Sequence, residues 1–164
     1  KAPDPELVRN IEDTVLSHPE VVGIHDLIVH DYGPGRVMVS LHAEVNGSGN
    51  IFHLHDAIDR AEMEIKERFG CSATIHMDPI EADNTEISRE RRAVAEMLRE
   101  LDPDITIHDF RMVPGPTHTN LIFDAVVPAD YKGKDDVLAD AIRKKVNGTW
   151  PDRYAVVHID RSYL

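Results

Sequence analysis

Ile24-His25-Asp26-Leu27 returns as Ile107-His108-Asp109-Phe110, and Ile75-His76-Met77-Asp78 returns as Val157-His158-Ile159-Asp160. The offset is 82 to 83 positions at each matched stretch. Self-similarity at one fixed period is the mark of a tandem duplication. Whatever fold the first half adopts, the second half must reach with a related pattern. The spacing places the joint near Glu81 to Thr85 and the domains at 1–82 and 83–164. Each copy has only about 80 residues, a size at which the core is small and packing against another unit adds stability.

Within the first copy, Leu7, Val8, Ile11, Val15 and Leu16 recur at helical spacing between Pro5 and Pro19. His18, next to that proline, reads as a surface residue at a helix end. Val21 to His30 is β-branched and apolar, Asp31-Tyr32-Gly33-Pro34-Gly35-Arg36 is turn chemistry, and strict alternation follows from Val37 to Val45. Ile51, Leu54, Ile58, Ala61, Ile65 and Phe69 then make one helical stripe ended by Gly70. Ser72 to Asp78 is the last strand. A strand, a helix and a strand in that order imply a crossover and a parallel pair. The order is α-β-β-α-β.

The second copy repeats it. Val94, Met97, Leu98 and Leu101 form a helix stripe, Ile105 to Val113 and Asn120 to Val127 read as strands, and Val137 to Val146 supplies the second helix with Gly148 as its stop. Tyr154 to Asp160 closes the unit. The expected class is α+β: two tandem α-β-β-α-β units, each with helices on one face of a three-stranded mixed sheet.

Side chains of a strand alternate between faces. Val37, Val39, Leu41, Ala43 and Val45 therefore share one face, and Met38, Ser40, His42 and Glu44 the other. Ala73, Ile75 and Met77 oppose Thr74, His76 and Asp78. With both apolar faces on the helices, His42, His76 and Asp78 emerge together on the uncovered side. Two imidazoles and a carboxylate suit a borderline divalent cation such as zinc. The direction of His25 stays open, because both faces of its strand carry apolar residues; if it joins the open face, Leu27 and Val29 go with it as an exposed partner surface. His55, Asp59, Glu62 and Lys66 share a polar helix flank, and from pattern alone His55 is a solvated residue of that flank. His30, His53 and His118 read as plain surface.

Composition narrows the partners. The net charge is −12, from 30 acidic and 18 basic residues, which argues against nucleic acid, whose affinity comes from clustered Lys and Arg. The single cysteine, Cys71, cannot form an internal disulfide, consistent with a reducing compartment. No apolar run approaches the roughly 20 residues of a membrane-spanning helix. The opening Lys1-Ala2-Pro3-Asp4-Pro5 has no signal-peptide core and reads as a cut at a domain boundary.

These residues resemble a known family. Pro3-Asp4-Pro5-Glu6-Leu7-Val8, Gly23-Ile24-His25-Asp26-Leu27, Leu41-His42-Ala43-Glu44 and His76-Met77-Asp78-Pro79 are similar, in order and spacing, to the cytoplasmic C-terminal domain of cation diffusion facilitator (cation efflux) transporters. The resemblance covers residues 3 to 80. It implies a ferredoxin-like, metallochaperone-like fold, an α/β sandwich, that dimerises across its sheet face and holds two ions at the interface. His25, His42, His76 and Asp78 would be ligands, with Asp78 bridging, and His55 would come from the other protomer. The second copy departs from that pattern: His108, Asp124, His158 and Asp160 stand at the places of His25, His42, His76 and Asp78, and nothing matches His55. Asp124 for His42 makes that set richer in oxygen, while a dimerising or stiffening role without metal explains the copy equally well.

The expected function is a metal-sensing and dimerisation domain of a divalent-cation exporter, on the cytoplasmic side of the cell membrane, with its transmembrane domain preceding Lys1 and a second copy of itself as partner. Zinc ranks first, ahead of manganese, cobalt, cadmium and iron. Metal affinity is expected to fall as pH drops through about 6.5, because imidazole binds metal in its neutral form. The alternative is a metal-free module of the same fold that binds a regulatory small molecule. A metal-dependent hydrolase ranks last, since no nucleophile is paired with a base; no enzyme activity is expected.

Overall fold

The computed structural model describes residues 3–81 and 84–162. The expected joint near Glu81 to Thr85 includes residues 82 and 83, which lie outside the described residues. Two compact units result, residues 1–80 and 81–164.

The first unit runs α1 (Pro5–Leu16), β1 (Val21–Asp31), β2 (Val37–Asn46), α2 (Ile51–Phe69) and β3 (Ser72–Ile80). Its start is set by Asp4, whose carboxylate accepts from the Glu6 backbone N–H at 3.0 Å, with Pro5 at the first helical position. Asn50 caps α2 in the same manner, and Gly70 ends it in the left-handed conformation at φ 69°. The strands lie in the order β1-β2-β3; β1 and β2 are antiparallel, β2 and β3 parallel. Ile11 and Val15 of α1, Ile58, Ala61 and Ile65 of α2, and Val39, Leu41 and Ala43 of β2 form one buried core. The helices thus cover one face of the sheet and leave the other to the polar residues of β2.

The second unit repeats this with α3 (Thr85–Leu101), β4 (Thr106–Val113), β5 (Thr119–Pro128), α4 (Asp135–Thr149) and β6 (Arg153–Ser162). Its strand order is β4-β5-β6, again with an antiparallel and a parallel pair. Val94, Leu98, Leu121, Phe123, Ile142 and Val146 lead its separate core. Both units are α-β-β-α-β with a three-stranded mixed sheet, as the two patterns predicted.

Three local expectations are revised. Gly148 does not stop α4; it lies within the helix, which runs to Thr149. The stop comes from Trp150 (φ −128°, ψ 99°), because the residue before Pro151 is pushed out of the helical region. His18 is buried rather than on the surface, its ring against Glu64 of α2.

The third concerns β1, and it bears on the site. The register pairs His25 with His42 but Ile28 with Ser40, so one extra residue sits in β1. That bulge is made at Asp26, whose φ is 53°, a left-handed value that aspartate tolerates better than most residues. An extra residue reverses the phase of alternation. Ile24 packs on the core before the bulge, and Leu27 and Val29 pack on it afterwards, while Ile28 turns outward. Leu27 and Val29 therefore do not accompany His25 onto the open face. The second unit carries the same device: Asp109 has φ 56°, the register shifts between His108 and Arg111, and Phe110 and Met112 return to the core.

β3 is an edge of its sheet, and α2 supplies part of what the edge lacks: the Ile75 backbone N–H donates to Glu62 Oε2 at 2.8 Å. Glu62 is thus more than a member of a solvated flank. Glu62→Ala leaves a buried N–H without this acceptor, and a loss of about 1–3 kcal/mol follows. Urea denaturation followed by circular dichroism measures it; an unchanged midpoint would show that solvent replaces the bond freely.

Candidate metal centre

The bulge and the two strand registers together place three imidazoles on one row. His25 of β1 lies opposite His42 of β2, and His42 opposite His76 of β3. The rings stack across the sheet, with centroids 4.8 Å apart for His25 and His42 and 4.9 Å for His42 and His76. The neighbouring row is Gly23, Glu44 and Asp78. Carboxylates therefore flank the imidazoles one pleat away on the same face.

Asp78 Oδ2 is the point of convergence. His25 Nε2 lies 3.2 Å from it and His42 Nδ1 3.1 Å. His25 Nδ1 faces the other way and donates to Glu44 Oε2 at 2.8 Å. Burial grades inward: the His42 side chain is 36% exposed, Asp78 18%, His25 11% and Glu44 3%. Burial alone would lower the pKa of His25, but its bonds to Asp78 and Glu44 outweigh that and raise it to about 9. Burial would raise the carboxyl of Asp78, and the two histidines instead hold it below the ordinary carboxylate value.

Among the described residues, His25, His42 and Asp78 are the group whose ligand atoms all lie within 4.8 Å of one another. Their donor set, two imidazole nitrogens and a carboxylate oxygen, fits zinc. The two nitrogen–oxygen separations are close to the edge of about 3.3 Å that a tetrahedral ion with bonds of about 2.0–2.1 Å requires. His76 is exposed, with its ring stacked on that of His42, and it lies outside the group of three. His55 is exposed on α2, apart from the group of three.

The second unit does not draw its corresponding residues together. His158 Nδ1 is 3.7 Å from Asp124 Oδ1, with the His158 side chain 75% exposed. His108 is exposed and meets the hydroxyl of Thr106 at 3.5 Å, and Asp160 is exposed. Burial and the neighbouring Asp109 raise the carboxyl of Asp124, only partly offset by His158 and Arg111, the reverse of the direction at Asp78. His108, Asp124 and Asp160 line an open acidic hollow of about 980 Å³ rather than a shared point.

Glu44 is the residue that pattern reading left out. Alternation puts it on the face of His42, but nothing in a strand pattern says that a carboxylate there is buried. The signal that could have found it is Gly23, its cross-strand neighbour: a Cβ at that position would sit 2.9 Å from Glu44 Oε1. A missing side chain on β1 makes the space that the carboxylate on β2 fills.

Residues 3–80 match the family of the cation efflux protein, cytoplasmic domain. The cation-efflux pump FieF of Escherichia coli (strain K12 / DH10B) is 38% identical over 78 residues, 47% of this chain and 25% of the pump, and FieF of Shigella boydii serotype 18 (strain CDC 3083-94 / BS512) gives the same figures. The chain thus spans about a quarter of the length of these curated relatives. Among solved structures, that of a candidate zinc transporter, CzrB, is 28% identical with a TM-score of 0.44, covering 48% of this chain and 98% of the other; its zinc form is 27% identical with a TM-score of 0.43, covering 48% and 90%. No helix among the described residues is long and apolar enough to cross a membrane. Residues 3–80 of this chain belong to the cytoplasmic-domain family of cation efflux proteins.

Proposed function

We propose that this chain is the metal-sensing and dimerisation portion of a divalent-cation efflux transporter, and that zinc is its ion. The observation that carries the reading is the convergence of His25 Nε2 and His42 Nδ1 on Asp78 Oδ2, at 3.2 and 3.1 Å, on the face of the sheet that the helices leave uncovered. His25, His42 and Asp78 hold one ion, and His76, beside His42, extends the site to a second ion bridged by Asp78. His55 lies apart from this group on its own chain, which suits its donation to the site of a second copy.

Ligands drawn from two chains make metal binding and pairing a single equilibrium, so occupancy favours the closed dimer. In the full protein the paired state would act on a transmembrane domain outside this chain, with the present residues on the cytoplasmic side. The role is regulatory rather than catalytic. The domains divide at 82/83, and the second unit is a diverged repeat of the same fold in which His108, Asp124, His158 and Asp160 keep the positions of a site without its convergence.

Calorimetric titration of zinc into the chelator-treated chain, paired with sedimentation velocity, tests this. Saturable binding accompanied by a shift from monomer to dimer is expected. Absence of binding would end the metal reading, and binding at unchanged sedimentation would end the coupling to dimerisation.

A further inference from the structure

The proposed site has a carboxylate that need not touch a metal to govern it. Glu44 is the most deeply buried polar side chain of the cluster, and its carboxylate accepts the His25 Nδ1 proton at 2.8 Å. The opposite ring nitrogen, Nε2, is the one turned to Asp78. Resting on the metal reading above, we propose that Glu44 is a positioning residue: it holds a proton on His25 Nδ1, orients the ring, and so reserves Nε2 as the nitrogen that binds the ion. An imidazole has two chemically similar nitrogens, and the hydrogen bond made by one decides which remains for a metal.

Three observations beyond that bond support the assignment. First, room for Glu44 is built into the strand beside it, since any side chain at Gly23 would begin 2.9 Å from Oε1. Second, Glu44 occupies the row next to the imidazoles, level with Asp78, so His25 is bracketed by a carboxylate on each nitrogen.

Third, the chain contains its own control. In the second unit the register pair corresponding to Gly23 and Glu44 is Thr106 and Val126. The bulge is retained there and His108 stands in the row of Asp124 and His158. Yet His108 is exposed, with the Thr106 hydroxyl as its neighbour at 3.5 Å. The same backbone without the buried carboxylate leaves the histidine exposed and, among the described residues, outside any converging group. The bulge delivers the residue to the open face; the carboxylate fixes where its nitrogens point.

The second unit also supplies the variant. Gly23→Thr with Glu44→Val transplants a pair that already fits this fold, and Glu44→Gln keeps an acceptor for the Nδ1 proton while removing the charge. In the metal-free whole chain, wild type and Glu44→Gln are expected to show a downfield, exchange-protected ring N–H proton that correlates with His25 Nδ1; the double variant is expected to lose it while retaining its circular dichroism spectrum. With zinc, His25 is expected to bind through Nε2 in the wild type, and the double variant to lose about 10- to 100-fold in affinity, the range for removing a partner of a metal-bound histidine.

A wild-type chain with no such Nδ1 proton overturns the proposal whether or not zinc binds. So does a folded double variant with wild-type zinc affinity, or ligation through Nδ1. Failure of the wild type to bind zinc while the Nδ1 proton is present refutes the metal site itself, and with it the role of Glu44 at that site, leaving only a structural bond.

Discussion

Asp78→Ala is expected to weaken zinc binding at least 100-fold, the largest single effect of any substitution in this chain. The reason is geometric. Asp78 Oδ2 is the atom that both His25 Nε2 and His42 Nδ1 face, at 3.2 and 3.1 Å, and it supplies the anionic member of the group of three. Its removal leaves imidazoles without the oxygen that fixes their separation. A loss of 100-fold corresponds to about 2.7 kcal/mol, modest for a ligand that would bridge two ions. Competition against a chromophoric chelator reads the affinity, with circular dichroism confirming the fold. Asp160→Ala, at the matching place in the second unit, provides the contrast: its carboxylate is exposed and, among the described residues, belongs to no converging group, so affinity should stay within about twofold of wild type. Equal binding by wild type and Asp78→Ala would remove the site.

The second large effect is a dependence of stability on pH that runs opposite to ordinary acid denaturation. With chelator present, the first unit should be most stable between about pH 4 and 6.5 and should lose about 3 kcal/mol as the pH rises towards 10. The sign follows from His25. Its pKa is raised from 6.5 to about 9 because its bonds to Asp78 and Glu44 overcome burial. A group whose folded pKa lies above its unfolded value stabilises fully below the unfolded value, and the contribution vanishes as pH climbs through the folded one. Asp78 acts at the other end: its lowered carboxyl stabilises above the ordinary carboxylate value and ceases to do so as acid protonates it. The buried thiol of Cys71 is also pushed up and loses stability in the same alkaline direction. The diagnostic is therefore the difference between wild type and His25→Gln, measured by urea unfolding under circular dichroism, while the single Trp150 reports the second unit by fluorescence. A difference that is flat from pH 6 to 10 would contradict the bracketed imidazole.

Both effects depend on a strand irregularity that the pattern of residues could not disclose. The first-strand sequence from Val21 to His30 is apolar on both faces, so alternation leaves His25 undirected. Only the extra residue at Asp26, visible in the register as a shift between His25 and Ile28, turns the imidazole outward while sending Leu27 and Val29 inward. The position of His42, His76 and Asp78 needed no such information. Their strands alternate without interruption, and the register of β2 on β3 sets His42 beside His76 and one row from Asp78. His18 and Glu44 fall on the other side of the divide. Each is a polar residue in a segment whose pattern says nothing of depth, and each is buried because an element remote in sequence lies over or beside it.

Period and order are local properties, carried by side chains a few residues apart. That is why the duplicated α-β-β-α-β plan, the Gly70 stop of α2 and the shared face of His42, His76 and Asp78 could be read from the residues alone. Depth, ring orientation and convergence on one oxygen depend on contacts between strands, on a bulge that resets alternation and on the space left by a glycine across the sheet. Tertiary structure decided those, and so separated a unit whose imidazoles and carboxylates meet from a second unit, of the same plan, whose corresponding groups do not.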